Sequence, residues 1–240
     1  MSHPERIVPD ETEPGIVALH LKRYDFALPF CVGKDVLDAG CGVGYGTAHL
    51  AHAARRVVGV DRDPETIEYA RRRYGSGRIE FLQADLLDLP LESDSFDTAC
   101  SFETIEHVPD PEALVAQLRR VTRPGGACLV STPRVDETTR NPENPFHAVE
   151  LSAADLERLL RAQFGEVTLY GQRRRQSGRH RTMQRLDPLG LRKRLAFLRP
   201  ASRLLGTPPM AEVSLDDVLI DRTDIDRATE LVAVCRGPRR

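Results

Sequence analysis

Apolar and polar residues follow two rhythms along the chain. Short apolar runs read as strands: "KDVLDAG" (34–39), "RRVVGVD" ending at Asp61, "IEFLQAD", "FDTACSF", "ACLVSTP", "EVTLYGQ" and "ELVAVCR". Between them the apolar positions recur at helical spacing. Val17, Leu21, Tyr24 and Leu28 share one face; a helix is expected from about Tyr45 to Ala53; and Ile67, Ala70 and Tyr74 line one side of "DPETIEYARRRY". Asp63 and Pro64 open that last helix, "DPEALVAQLRRVTRPGG" repeats the start and adds a Gly-Gly stop, and Ser152 begins an S-x-x-D cap ahead of Leu156, Leu159 and Leu160. Strands alternating with helices predict an α/β fold: a doubly wound, mostly parallel, seven-stranded sheet with helices on both faces. Residues 1–11 read as a flexible tail and 12–240 as one domain. Residues 172–229 break the rhythm, as a long insert between the last two strands.

The first strand runs into "VLDAGCGVGYG", residues 36–46, with glycine at 40, 42, 44 and 46. A tight turn needs one or two glycines; four at alternate positions point to a ligand lying against the backbone, at the strand end where open α/β sheets bind ligands. The following helix N-terminus adds N–H groups and partial positive charge. Spacing narrows the ligand. A G-x-G-x-x-G dinucleotide fingerprint begun at Gly40 ends on Tyr45, and begun at Gly42 on Thr47; no G-K-[ST] of a P-loop follows. Asp38, an acid at the strand end, repels a pyrophosphate and suits a cation.

This stretch resembles motif I, E/D-x-G-x-G-x-G, of class I S-adenosylmethionine methyltransferases. Asp61, 23 residues after Asp38, stands where the family has an acid on the ribose hydroxyls. "QADLLDLPLESDSFD" resembles the next family segment, and "FDTACSFETIEHVPDPEALVAQLRRVTRPGG" the fourth strand, helix and glycine turn. The resemblance covers roughly residues 12–170 and 230–236. It implies a Rossmann-like methyltransferase fold with S-adenosylmethionine as cofactor. Asp38 would orient the methionine end, Asp61 hold the ribose, Asp85 lie near the adenine amino group and Leu86 beside the ring; Gly40, Gly42, Arg62 and Phe102 join them as cofactor-binding candidates. "HLKRYDFAL" resembles an H-x-x-R-Y pattern in which Arg23 meets the cofactor carboxylate and Tyr24 covers the cofactor. The chemistry agrees. S-adenosylmethionine carries a sulfonium, an ammonium and one carboxylate. Its vicinal hydroxyls suit a bidentate acceptor such as Asp61, and its carboxylate suits an arginine fork. The plainer alternatives are capping roles for Asp61 and Asp85, a core Tyr24 and a solvated Arg23.

Methyl transfer needs positioning, and a hydroxyl acceptor also needs a base. The catalytic candidates are His107, in "ETIEHV", and His147, in "NPENPFHAVE", which resembles an N-P-F-H-x-x-E segment of small-molecule methyltransferases. "SFETIEHV" is not the Asp/Asn-Pro-Pro-Tyr type used for amine nitrogens, no Pro-Cys supports attack on cytosine, and the spaced aspartates of the metal-dependent catechol type are missing. No metal is expected.

Composition changes the picture in two places. The net charge of −2 gives no global pull toward nucleic acid or membrane, and five widely spaced cysteines without C-x-x-C argue against zinc or dithiol sites. With no apolar signal core and no spanning run, the expected location is the cytoplasm. The basic residues are three lysines and 31 arginines, consistent with a GC-rich bacterium. They concentrate in the insert: residues 172–205 carry a net +10 and 206–229 a net −4. A lid over a small acceptor, an RNA surface and an anionic membrane contact are the competing readings; the near-absence of aromatics disfavours RNA. The sequence therefore predicts methylation of a small molecule, at a hydroxyl, in a bacterial biosynthetic pathway. A protein that binds S-adenosylmethionine without methyl transfer (a cyclase, for instance) and an RNA or protein methyltransferase are the alternatives.

Overall fold

The computed structural model describes residues 6–175 and 210–239. Among the described residues five helices, α1 (Pro14–Cys31), α2 (Tyr45–Leu50), α3 (Pro64–Tyr74), α4 (Pro111–Val121) and α5 (Ala153–Gln163), alternate with strands β1 (Asp35–Ala39), β2 (Arg56–Asp61), β3 (Ile79–Gln83), β4 (Phe96–Phe102), β5 (Thr122–Pro133) and β6 (Phe164–Arg174). Two further strands, β7 (Val218–Asp221) and β8 (Glu230–Pro238), complete one sheet of order β3-β2-β1-β4-β5-β8-β6-β7. The sheet is parallel from β3 to β5; β8 runs antiparallel between β5 and β6, and β7 antiparallel to β6.

The strands read as apolar runs because both faces are covered. Alternate residues serve alternate layers. Leu37, Ala39, Val58, Val60, Ala99 and Val130 pack with Leu114, Leu118, Leu156 and Leu160 of α4 and α5. Val36, Val57, Cys100 and Leu129 pack with Tyr24, Ala27 and Cys31 of α1 and with Leu50 of α2. Each fully buried leucine or valine contributes about 1.5–3 kcal/mol. The five cysteines are all buried and unbridged.

Four expectations change. The sheet has eight strands, not seven, because "VLID" within the predicted insert pairs with β6: Arg173 holds Asp221 with two hydrogen bonds of 2.7 and 2.8 Å. The buried face of α1 is Ala18, Arg23, Tyr24, Ala27 and Cys31, while Val17, Leu21 and Leu28 are half-buried. Residues 6–11, read as tail, pack on the domain: Val8 is buried and Arg6 pairs with Asp63 at 2.8 Å. Residues 172–175 and 210–229 of the insert belong to the sheet and its edge; the basic stretch from 176 to 205 falls outside the described residues. Among the described residues no helix is long and apolar enough to cross a membrane.

Candidate functional site

The strand order reverses between β1 and β4, and the carboxyl ends of the strands there open a cavity of about 530 Å³. Its wall is made where each strand stops: Gly40 and Gly42 after β1, Asp61 and Arg62 at β2, Asp85 and Leu86 after β3, Phe102 and Glu103 at β4, Pro133 at β5. Arg23 and Tyr24 close it from α1, and His107 and His147 complete it. Eleven of the twelve residues singled out from sequence thus line one cavity; Asp38 does not, lying fully buried behind its wall.

The four glycines divide their work. Gly42, with φ +51°, is open on the side where a Cβ would stand, so the backbone is bare toward the cavity. Gly46 instead makes room for Tyr24: a Cβ there would lie 1.9 Å from the ring's Cζ. Tyr24 is thereby pressed onto α2, edge-on to Phe102 at 5.1 Å between centroids, with its hydroxyl donating to Asp38 Oδ1 at 3.4 Å.

Asp61 is oriented before any ligand arrives. Gly42 N–H donates to its Oδ2 and Asp63 N–H to its Oδ1, each at 3.0 Å, so both oxygens are aimed and each keeps a lone pair. Asp85 accepts from Leu87 N–H at 2.9 Å. Thr47 donates to Asp38 Oδ2 at 2.6 Å. Burial nevertheless raises the Asp38 carboxyl to about 7, since two hydroxyl donors only partly replace water. Burial, then the Arg23 charge, lowers His20 on the cavity wall to about 3, which keeps it neutral. Burial, then the Glu103 charge, holds the Glu106 carboxyl well above the usual range.

Arg23 tests the fit of the cofactor that the resemblance implies. Its side chain is 1% exposed, its Nε and Nη2 have no hydrogen-bond partner, and the carboxylate of Glu103 stands off at 3.8 Å. A buried, unsatisfied guanidinium facing a cavity matches a ligand with one carboxylate. The solvated alternative does not survive the burial. With Asp61 as a hydroxyl acceptor, the residues fit S-adenosylmethionine.

Sequence reasoning missed several wall residues: Arg6 and Ile7, assigned to the tail; His20; Tyr45; and Asn144. Ile7 and Val8 were the available signal, an apolar pair in a polar stretch. Glu103 also carries a left-handed backbone, φ 48°, held by its N–H on Ser131 and by Ser131 Oγ on its Oε1 at 2.7 Å. Nor did sequence reveal that Glu106, His107 and His147 form one group, with ring centroids of the two histidines 4.9 Å apart.

A family model described as a methyltransferase domain matches residues 37–130. A probable S-adenosylmethionine-dependent methyltransferase of Mycobacterium tuberculosis is 40% identical over 172 residues, 70% of this chain and 62% of the relative. An O-methyltransferase of Penicillium expansum is 34% identical over 142 residues, 54% of this chain and 51% of the relative. The chain spans between about half and three-fifths of the length of these curated relatives. In fold it resembles a Thermotoga maritima structure described as a SAM-dependent methyltransferase, possible histamine N-methyltransferase, with TM-score 0.63, 17% identity and 95% of each chain covered. In its matched domain, its relatives and its sheet, the chain is similar to the class I methyltransferases, which use S-adenosylmethionine as methyl donor.

Proposed function

We propose that the protein transfers a methyl group from S-adenosylmethionine to a hydroxyl of a small-molecule acceptor in a bacterial biosynthetic pathway. The observation that carries this reading is the division of the cavity. Asp61 and Asp85, on the β2 and β3 side, are set for the adenosine hydroxyls and amino group; Arg23 is set for the carboxylate; and the imidazoles stand on the β4 and β5 side, where an acceptor must enter. The Penicillium relative, an O-methyltransferase, supports oxygen as the acceptor atom.

Bound there, S-adenosylmethionine would supply an activated methyl group to an acceptor oxygen, and the acceptor's hydroxyl proton would need somewhere to go. The chain's residues orient the partners and receive that proton. His107 Nδ1 lies 3.0 Å from the Phe146 carbonyl oxygen, which only accepts, so Nδ1 carries the hydrogen and Nε2 the lone pair. His147 Nδ1 lies 2.7 Å from Glu150 Oε1, which fixes the same tautomer. Tyr24 and Phe102 line the cavity with buried aromatic surface.

The test is label transfer from methyl-labelled S-adenosylmethionine into a host extract split into small molecules, RNA and protein. Label in small molecules, lost in Asp61→Ala, is expected. Label in RNA or protein overturns the acceptor class, and bound cofactor with no label in any fraction overturns methyl transfer.

A further inference from the structure

Glu106, His107 and His147 each offer one ligand atom to the cavity, and the three atoms lie within 4.8 Å of one another. An ion about 2.1 Å from each of three ligands holds them about 3.4 Å apart. Since no pair of these atoms is more than 4.8 Å apart, each pair would close by at most about 1.4 Å.

The surroundings are those of a metal centre rather than of three polar residues that happen to meet. Metal-bound histidines donate their second ring N–H to a carboxylate or a carbonyl, and ligating carboxylates are themselves hydrogen-bonded. All three conditions hold. His147 Nδ1 is 2.7 Å from Glu150, His107 Nδ1 is 3.0 Å from the Phe146 carbonyl, and Thr132 Oγ1 donates to Glu106 Oε2 at 3.1 Å. With Nδ1 of each imidazole so engaged, Nε2 is the nitrogen that would ligate. The two segments are pinned together by backbone: Ala148 and Val149 N–H donate to the Glu106 carbonyl at 2.7 and 3.2 Å. Two imidazoles and one carboxylate favour zinc, iron(II) or cobalt over magnesium or calcium, which prefer oxygen alone. Three protein ligands with a position open to a cavity is the pattern of a catalytic centre.

We propose that Glu106, His107 and His147 bind one divalent transition-metal ion of the zinc class, whose open position takes an oxygen of the methyl acceptor. The second half rests on the methyl-transfer reading. The Asn144 amide, 3.0 Å from His147 Nε2, yields to the ion. Such an ion would lower the acceptor hydroxyl's pKa toward neutrality and let its proton leave to water, taking over the proton-accepting role that the metal-free reading gives to the imidazoles. The sequence expectation of no metal rested on missing aspartates, which this donor set does not use.

The experiment uses untagged, chelator-stripped protein titrated with zinc chloride by calorimetry, and with cobalt chloride by visible d–d absorption. One ion per chain is expected. Binding falls at least about 10-fold in His107→Ala, His147→Ala and Glu106→Gln, and about 10–100-fold in Glu150→Gln, which removes no ligand. S-adenosylmethionine binding persists in each variant. If the ligand variants do not fold, Glu150→Gln carries the test. The proposal is overturned by a wild-type chain that takes up neither ion stoichiometrically, or by binding that folded His107→Ala and His147→Ala leave unchanged. Failure of the two readings looks different. Metal-free protein that methylates at full rate removes the ion and keeps methyl transfer; an ion bound without any cofactor binding removes methyl transfer and keeps the metal site.

Discussion

Replacing Arg23 by methionine separates a binding residue from a structural one. Two of its buried nitrogens lack hydrogen-bond partners, and its nearest carboxylate oxygen, on Glu103, is at 3.8 Å. Unsatisfied buried donors cost about 1–3 kcal/mol each. Against this stands attraction to Glu103, about 4 kcal/mol at 3.8 Å with an effective dielectric near 20. The terms nearly cancel. Arg23→Met removes both while keeping most of the apolar stem, so the ligand-free unfolding free energy should change by less than about 2 kcal/mol. Binding should respond differently. Hydrogen bonds from a guanidinium to a carboxylate are worth about 1.5–3 kcal/mol each, so losing two weakens S-adenosylmethionine at least about 100-fold. Urea unfolding without ligand and calorimetric titration with S-adenosylmethionine measure the two quantities separately. A residue that held the fold through its ion pair would behave in the opposite way, since breaking a buried pair costs about 3–5 kcal/mol. A variant destabilised by that much, with an unchanged dissociation constant, would refute the assignment.

Three other outcomes are expected. Asp61→Ala should abolish measurable cofactor binding by calorimetry while costing no more than about 1–2 kcal/mol of stability, because it orphans two partly exposed backbone N–H groups. Gly46→Ala should lower stability despite the helix propensity gain of about 1 kcal/mol. Its Cβ would stand 1.9 Å from Tyr24 Cζ, an overpacking worth about 1–3 kcal/mol, and Tyr24→Leu in the same chain should restore part of the loss in thermal unfolding. Asp38 gives a pH dependence. Its folded carboxyl is raised to about 7 from 3.8, so the folded state holds the proton more tightly; the contribution is fully present below pH 4 and lost as pH rises through 7, about 4 kcal/mol in all. Asp38→Asn should remove that slope in urea unfolding between pH 5 and about 8, and identical slopes would contradict it.

The parts of this site that could be read from sequence are those whose chemistry is local. Glycine at 40 and 42, with acids at 61 and 85, stands at strand ends, and a strand end is visible as the close of an apolar run. The rest depends on contacts that only the fold creates. β7 is four residues long and owes its existence to pairing with β6, so no periodicity announces it. Apolar spacing orients α1 by Val17, Leu21 and Leu28, which are only half-buried, whereas the H-x-x-R-Y pattern points to Arg23 and Tyr24. The helix turns Arg23 inward, a placement that costs free energy until a carboxylate arrives, and no hydrophobic pattern encodes such a cost. Glu106 and His147 are 41 residues apart and meet through backbone bonds from Ala148 and Val149. The tautomer of His107 is set by the Phe146 carbonyl, a group every residue possesses. Histidines in a sequence therefore suggest acid–base chemistry, because that is what an isolated imidazole does. The partner of the other ring nitrogen fixes the tautomer that either role requires, and here that partner is supplied by tertiary structure.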